Sequence, residues 1–313
     1  MLFRSVMTEN SSLPAALAAL QGTVGIWTTT TESLPAHRVG EVAQRLDAMG
    51  YRALWIPEAW GREAFSNAQL QLSQSSRIII ATGIANIWGR DAVAAVNAAR
   101  TLNAAFDQRF VLGLGVSHAP LVERLRGHQY QTPVAAMQSY LEAMDAVTSF
   151  SPDSRQPYAR VIAALGPKML EGARHHADGA HPYLVTPEHT ARARHALGPD
   201  KFIGVEQAVV LGRSRDEFLE RAGAHLEIYT GLDNYRNSWR RLGFGDDDFV
   251  RGGSVRLREA LVAHGGVEAI RQRIDEHFAA GASHVCLQFL GADLTTPLYD
   301  EWAEVAAALG LTS

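Results

Sequence analysis

The feature that most constrains this chain is a regular alternation of short apolar runs with amphipathic helical patterns. Such an alternation is typical of βα units arranged around a parallel sheet. The run RIIIATGI (77–84) is almost wholly apolar, as expected of a strand that is buried on both faces. In all, eight runs predict strands, at 22–27, 52–56, 77–84, 109–115, 160–166, 179–185, 202–211 and 283–290.

Eight strands, each followed by a helix, favour a closed (β/α)8 TIM barrel over an open doubly wound sheet, because closure removes every sheet edge. The length of 313 residues suits an α/β barrel of this kind with modest insertions. Residues 22–313 are therefore predicted to form one barrel domain, with insertions near 117–133 and over an enlarged helical segment at about 214–263. Residues 1–21 are expected to be an N-terminal extension that is partly disordered or helical.

Local signals also predict where helices begin. Asp91 stands where it can cap a helix over about 91–106, and Pro167 stands at the first turn of the helix after the fifth strand. Periodic apolar residues predict further helices over 266–280 and about 298–309.

Composition argues against several classes of protein. The net charge is −4 and no basic stripe alternates with aromatics, which argues against nucleic-acid binding. No apolar run approaches the roughly 20 residues that span a bilayer. The first residues lack the apolar core of a signal peptide, and Cys286 is the only cysteine, so no internal disulfide can form. These features predict a cytoplasmic protein.

In barrels of this type the active site lies at the carboxyl ends of the strands. The residues at these ends are rich in aromatics and poor in carboxylates. Glu58 is the one acid so placed, and Glu206, within the seventh strand, is a weaker second candidate. A hydrolase with two catalytic carboxylates is therefore poorly supported. The other residues singled out by this criterion are Trp27, Trp60, Asn86, Trp88, His118, Lys168, Tyr183, Gln288 and Phe289.

Several of these residues have a structural interpretation beside the functional one. Glu58 lies between Trp55 and Trp60, where desolvation could raise its pKa for acid catalysis, but a salt bridge to a neighbouring Arg competes with this role. Asn86 could contact a ligand or cap a helix, while Trp88 could simply pack. His118 could be a site residue or a solvated loop histidine.

Other motifs are weaker. GLGVSH after the fourth strand lacks the third glycine of a dinucleotide fingerprint and does not lead directly into a helix, so a tight strand exit is favoured. A histidine-rich neighbourhood has no convincing carboxylate or cysteine partner, and no metal site is expected. Its members are His175, His176, His181 and His189.

We call the segments that directly follow the strands the strand exits. Taken in order, they resemble those of the luciferase-like monooxygenase superfamily, in particular its coenzyme F420-dependent oxidoreductases. The resemblance covers most of the chain. It rests on RLDAMGYRALWIPEAWG, on IIIATGIANIWGRDAVAAVNAARTLNAAFDQRFVLGLGVSHAPLVE and on AALGPKMLEGARHHADGAHPYLVTPEH.

The resemblance implies roles for individual residues. It places Glu58 near the deazaflavin ring, and it places a bulge, often with a non-prolyl cis peptide, near Gly83-Ile84 against one ring face. Backbone at the fourth exit would contact the cofactor, and the fifth exit would lie near its ribityl and phosphate part. The expected cofactor-binding residues are Trp27, Glu58, Gly83, Ile84, Asn86, Val116, Ser117, His118, Leu165, Gly166, Pro167 and Lys168, with Glu58 and His118 as catalytic residues.

The function implied is hydride transfer between F420 and a small organic substrate, in a homodimer. Sugar-phosphate dehydrogenases of the family carry His after the acidic residue, and this chain has Ala59, so a sugar phosphate is a poor substrate. An FMN-dependent monooxygenase of the same superfamily is one alternative. A barrel without cofactor that serves as a binding or interaction subunit is another, although the glycines at the third to fifth exits argue against it.

Overall fold

A computed structural model describes residues 13–293 and 295–311. Its ten parallel strands form a closed sheet with the neighbour order β10-β1-β2-β3-β5-β6-β7-β8, and β10 also pairs with β8. The strands are β1 Thr23–Trp27, β2 Ala53–Ile56, β3 Ile79–Thr82, β4 Ala85–Asn86, β5 Phe110–Gly115, β6 Ala159–Ile162, β7 Gly179–Ala180, β8 Phe202–Leu211, β9 Val262–Gly265 and β10 His284–Phe289.

Thirteen α-helices accompany these strands in the described part of the chain. Ten of them are α1 Ala15–Ala19, α2 Thr30–Ser33, α3 Ala36–Ala48, α4 Ala64–Leu72, α5 Ala92–Ala105, α6 Pro133–Asp145, α7 Pro167–His176, α8 Pro187–Leu197, α12 Val267–Ala279 and α13 Tyr299–Ala308. The insertion after β8 holds the other three, α9 Arg215–Tyr229, α10 Asp233–Arg241 and α11 Val255–Leu261.

The predicted closed (β/α)8 barrel is confirmed. All eight predicted strands are present, with β3 and β4 together forming the third position of the barrel. The predicted caps are confirmed as well: the Asp91 side chain accepts a hydrogen bond from Ala94 N, and Pro167 occupies the first turn of α7. Two strands end well before their predicted ends: β6 ends at Ile162 and not at residue 166, and β7 ends at Ala180 and not at residue 185.

One prediction was wrong. The segment predicted to be helical extended to about residue 263, but its last residues belong to the strand β9, Val262–Gly265, which pairs with Ala208–Leu211 of β8. The strand β8 is ten residues long, while β7 pairs only with its first two residues. The far end of β8 therefore has backbone groups that need partners, and β9 supplies them.

Side chains inside the barrel form a hydrophobic cluster that is separate from the larger core between sheet and helices. The short helix α1 belongs to this inner cluster, since Leu17 and Leu20 are fully buried against it and α1 contacts β5 and β6. The Thr23 hydroxyl, at the start of β1, donates to the Leu20 carbonyl at 2.7 Å. Helix α1 thus closes the barrel at the end where the strands begin. Residues 1–12, part of the expected N-terminal extension, lie outside the described residues.

A third cluster joins the insertion to the carboxyl end of β8. Phe218 and Leu226 of α9, Trp239 of α10 and Leu257 of α11 are fully buried in it. Ser214 and Glu217 form a capping box at the start of α9, which satisfies backbone donors there. The insertion is therefore a packed unit. It covers one side of the barrel mouth, which is the opening at the carboxyl ends of the strands. In the described part of the chain, no helix is both long and apolar enough to cross a membrane.

The position of α1 gives a first prediction. Leu17→Ala would leave a cavity in the barrel interior and should lower the free energy of unfolding by about 2–4 kcal/mol. Urea unfolding measures this. Leu125→Ala is the control, because Leu125 is 57% exposed and its truncation should change little. Equal unfolding midpoints for Leu17→Ala and the wild type would show that α1 does not support the barrel.

Candidate active site

The third strand breaks at the carboxyl face of the barrel. The peptide bond Gly83–Ile84 is cis and separates β3 from β4, as the resemblance implied for this position. The Gly83 carbonyl accepts a hydrogen bond from Trp27 Nε1 at 2.8 Å. A Cβ on Gly83 would lie 2.8 Å from Trp27 Nε1 and 2.9 Å from His181 Nε2, so only glycine fits here.

Glu58 follows β2 and lies beside this break. Its carboxylate forms an ion pair with Arg90, and the two side chains are 4% and 8% exposed. Its Oε2 also accepts a hydrogen bond from Asn86 N at 2.7 Å. Glu63 shares Arg90, at 2.8 Å. The structure therefore shows the ion pair that was the competing interpretation of Glu58, while a catalytic role stays a prediction.

Asn86 and Trp88 are held by the same loop. The Asn86 side chain accepts a hydrogen bond from Trp88 N at 3.0 Å, as a cap does, and the Trp88 indole donates to the Val116 carbonyl at 2.9 Å. Both residues therefore have the structural roles considered for them. Contact between Asn86 and a cofactor stays a prediction.

The fourth strand exit is supported from outside by side chains. Tyr130 donates a hydrogen bond to the Ser117 carbonyl at 3.1 Å, and Ser117 has a positive φ of 54°. Beyond it, burial lowers the pKa of His118, so its imidazole is neutral at pH 7. The His118 ring lies 5.9 Å from the Tyr235 ring. His118 is therefore a mouth residue that faces the insertion.

The fifth exit leads directly into α7. Gly166 precedes the helix, Pro167 begins it and Lys168 is exposed on its first turn. A Cβ on Gly166 would lie 3.3 Å from Nη2 of Arg241, so this guanidinium stands beside the helix N-terminus. Within residues 13–293 and 295–311, the Arg241 guanidinium has neither a hydrogen bond nor an ion pair. Sequence reasoning missed Arg241 because only the fold of the insertion brings it to this exit.

Aromatic side chains line the mouth on the insertion side. Tyr183, which follows β7, lies 5.3 Å from Trp27 and 5.6 Å from Tyr229, measured between ring centroids. Tyr235 lies 4.9 Å from Tyr229. Of these residues, Trp27 and Tyr183 were singled out from the sequence as strand-end residues. Tyr229 and Tyr235 were not, because they lie on α9 and α10, far along the chain from any strand exit.

Below the mouth, the barrel interior holds polar groups with incomplete hydrogen bonding. His181 stacks on Trp55 with ring centroids 4.2 Å apart, and its Nδ1 donates to the Gly204 carbonyl at 2.8 Å. Glu206 is fully buried, its Oε2 accepts a hydrogen bond from Leu184 N, and its Oε1 has no partner among the described residues. Burial raises the pKa of Glu206 to about 8, so its carboxyl is mainly protonated at neutral pH.

The histidine-rich neighbourhood does not converge. His181 lies inside the barrel, whereas His189 contacts the Leu165 carbonyl through Nε2 at 3.0 Å. His175 and His176 lie at the end of α7. Over the described ranges, no group of three or more His, Cys, Asp or Glu residues is placed to hold a metal ion.

Comparison with known proteins establishes the family. The model of a family described as luciferase-like monooxygenase matches residues 18–284, which is most of the chain. The chain therefore belongs to the luciferase-like monooxygenase family, as predicted from its strand exits.

Individual relatives are more distant. A protein of Mycobacterium tuberculosis, provisionally named a coenzyme F420-dependent oxidoreductase, is 28% identical over 130 residues, or 39% of this chain. The match spans only 38% of that relative. A solved F420-dependent secondary alcohol dehydrogenase, in complex with an F420–acetone adduct, has a TM-score of 0.68 at 13% identity, covering 91% of this chain and 97% of its own.

An FMN enzyme is similar to the same degree. The oxygenating constituent of 3,6-diketocamphane monooxygenase from Pseudomonas putida, in complex with FMN, has a TM-score of 0.66 at 12% identity. The likeness covers 92% of this chain and 96% of that one. At such identities the solved structures show a shared fold and no more.

The ion pair of Glu58 gives a second prediction. Glu58→Gln would leave the Arg90 charge buried with only part of its compensation and should lower the free energy of unfolding by about 3 kcal/mol. Urea unfolding at pH 7 measures the loss. Glu63→Gln is the matched control, because the Glu63 side chain is 46% exposed and its loss should cost less. If both variants lost the same small amount, the buried pair would not stabilise the mouth.

The buried Glu206 gives a third prediction. Its pKa lies near 4.5 in the unfolded chain and near 8 in the folded one, so folding binds a proton between these values. Stability from this group is therefore fully present below pH 4.5 and is lost as the pH rises towards 8. Glu206→Gln, which does not titrate, should gain about 2–4 kcal/mol relative to the wild type between pH 5 and pH 8.5. Urea unfolding across this range tests the difference, and parallel pH curves would contradict it.

Proposed function

We propose that this protein is an F420-dependent oxidoreductase that transfers a hydride between the deazaflavin and a small organic substrate. The observation that carries the proposal is the pairing of two surfaces at one mouth. One is a wall of aromatic side chains beside the broken third strand, and the other is the unpaired Arg241 beside Gly166 at the start of α7.

The residues present fit this cofactor. A flat ring needs an apolar wall and close backbone, and Trp27 with Gly83 offers both. The phosphate and acidic tail of F420 need cations and backbone N–H groups. Arg241, Lys168 and the first turn of α7 would hold that anionic part. When bound there, F420 would supply two-electron hydride chemistry.

The residues of the mouth have distinct tasks in this proposal. Trp27 would fix the position of the Gly83 carbonyl, and the Glu58–Arg90 pair would hold the loop that carries Asn86. His118, neutral at pH 7, would face the substrate side together with Tyr235. The aromatic wall would exclude water from the hydride path. A homodimer in the cytoplasm, expected from the sequence, is part of the same proposal.

The names of the relatives support F420. The Mycobacterium tuberculosis relative is provisionally named an F420-dependent oxidoreductase, and the secondary alcohol dehydrogenase of similar fold is named as F420-dependent. The specific alternative is an FMN-dependent monooxygenase, which the FMN-bound structure of similar fold favours. The two cofactors differ most in their tails, because F420 carries more negative charge beyond its ribityl phosphate. The unpaired Arg241 and the exposed Lys168 at the fifth exit favour the more anionic cofactor.

Titration of the purified protein with F420 and with FMN, followed by fluorescence, tests the function. F420 should bind at least about tenfold more tightly, which is about 1.4 kcal/mol. Arg241→Gln should weaken F420 binding by about tenfold, and the deficit should shrink in high salt. Arg240→Gln is the matched control on the same helix, because Arg240 pairs instead with the exposed Asp246.

The outcomes separate the alternatives. Equal or reversed affinities for the two cofactors would assign the chain to the FMN enzymes. Binding of neither would favour a barrel that acts as a binding or interaction subunit. Equal loss of F420 affinity in Arg241→Gln and Arg240→Gln would mean that Arg241 has no specific role.

A further inference from the structure

Three tyrosines meet over one side of the barrel mouth, and we call Tyr183, Tyr229 and Tyr235 the tyrosine cluster. Tyr183 follows β7 in the barrel, whereas Tyr229 and Tyr235 come from α9 and α10 of the insertion. Ring centroids are 5.6 Å apart for Tyr183–Tyr229, 4.9 Å for Tyr229–Tyr235 and 6.5 Å for Tyr183–Tyr235. The insertion thus places two phenols against a barrel residue that itself touches Trp27.

The three hydroxyls of the cluster differ in their hydrogen bonds. Tyr229 donates to the Tyr183 hydroxyl at 3.2 Å, and Tyr183 donates to Gln288 Oε1 at 2.8 Å. This short chain fixes Tyr183 and uses the proton of Tyr229, so Tyr229 could accept but not donate a further hydrogen bond. Tyr235 is only 6% exposed, yet in the part of the chain that the structure describes its hydroxyl has no partner. A nearly buried phenol with an unused donor is a site for a ligand oxygen.

The surroundings of the cluster are uncharged at neutral pH. Burial raises the pKa of all three phenols, and it lowers the pKa of His225, whose ring lies 5.5 Å from Tyr229, to about 4. His118 beside Tyr235 is also neutral, and Glu206 below is mainly protonated. The described side chains with a ring contact or hydrogen bond to the cluster include no Lys or Arg. They are Trp27, His118, His225, Trp239 and Gln288.

We propose that Tyr235 donates a hydrogen bond to the carbonyl or hydroxyl oxygen of an uncharged substrate, with Tyr229, Tyr183 and Gln288 as positioning residues. The inference rests on the proposed function, since it places this oxygen on the substrate side of the aromatic wall. Neutral phenols offer hydrogen bonds to a ketone or alcohol oxygen. They offer no counter-charge to a carboxylate or phosphate, whose desolvation would then go uncompensated. The insertion would therefore select the substrate through Tyr235, in addition to supplying Arg241 to the cofactor.

The test compares two ligands that differ by one charge, cyclohexanone and 4-oxocyclohexane-1-carboxylate. Oxidation of reduced F420 by each ketone is followed by absorbance. Binding of each ketone to the protein without F420 is followed separately by saturation-transfer-difference NMR. The wild type should prefer cyclohexanone by about tenfold or more in both measurements. This comparison needs no variant and so does not depend on how any variant folds.

Variants then assign the preference to residues. Tyr235→Phe should lower kcat/KM and affinity for cyclohexanone by about fivefold to tenfold, and it should leave F420 affinity unchanged. Tyr158→Phe is the matched control, since Tyr158 lies just before β6 at the opposite end of the barrel. Thermal unfolding confirms that each variant is folded.

Each result decides the proposal. It is overturned if the carboxylate binds as well as cyclohexanone, if neither ketone binds, or if Tyr235→Phe behaves like Tyr158→Phe. A different set of binding results would show that only the proposed function is wrong. In that case F420 would not bind, while cyclohexanone binding to the protein would still depend on Tyr235.

Discussion

The hydrogen bonds between the first and last strands are the constraint on which the rest of this structure depends. Thr23–Ile26 of β1 pair in register with His284–Leu287 of β10, and this pairing turns an open parallel sheet into a barrel. Gly25 makes the tight interior possible, because a Cβ there would lie 2.6 Å from the Ala53 carbonyl oxygen and 2.7 Å from His284 Nε2. Closure brings the carboxyl ends of all the strands into one ring. Residues as distant in sequence as Trp27, Gly83, Tyr183 and Gln288 thereby share one mouth.

Much of this architecture could be predicted from the sequence, because a strand buried on both faces must be apolar and its helix amphipathic. The break at Gly83–Ile84 was predicted from the resemblance of the strand exits to a family, and not from local propensity. The strand β9 could not be predicted in this way. Four residues directly after a helix are too few to show the apolar run that predicts a strand. They become a strand only because the far end of β8 offers them backbone partners.

The candidate site was predictable to a smaller extent, for a physical reason. Residues that directly follow a strand, such as Glu58 and Tyr183, are placed by the barrel itself. Their partners depend on how loops and insertions fold back. Arg90 reaches Glu58 from the loop before α5, and Arg241 reaches Gly166 from α10, more than seventy residues further along the chain. Side-chain chemistry in the sequence identifies candidates, but only tertiary packing determines which of them neutralise one another.

The separate hydrophobic core of the insertion has a consequence for motion. Phe218, Leu226, Trp239 and Leu257 pack with one another and with residues at the carboxyl ends of the strands, in a cluster distinct from the one inside the barrel. Contiguous units of this kind open as one cooperative piece, at a lower free energy than global unfolding. Such an opening would uncover the mouth on one side while the strand ladder stays intact. Ligand exchange would then be governed by a local equilibrium in α9–α11, and native-state amide hydrogen exchange would resolve these helices as a class distinct from the slowly exchanging strands.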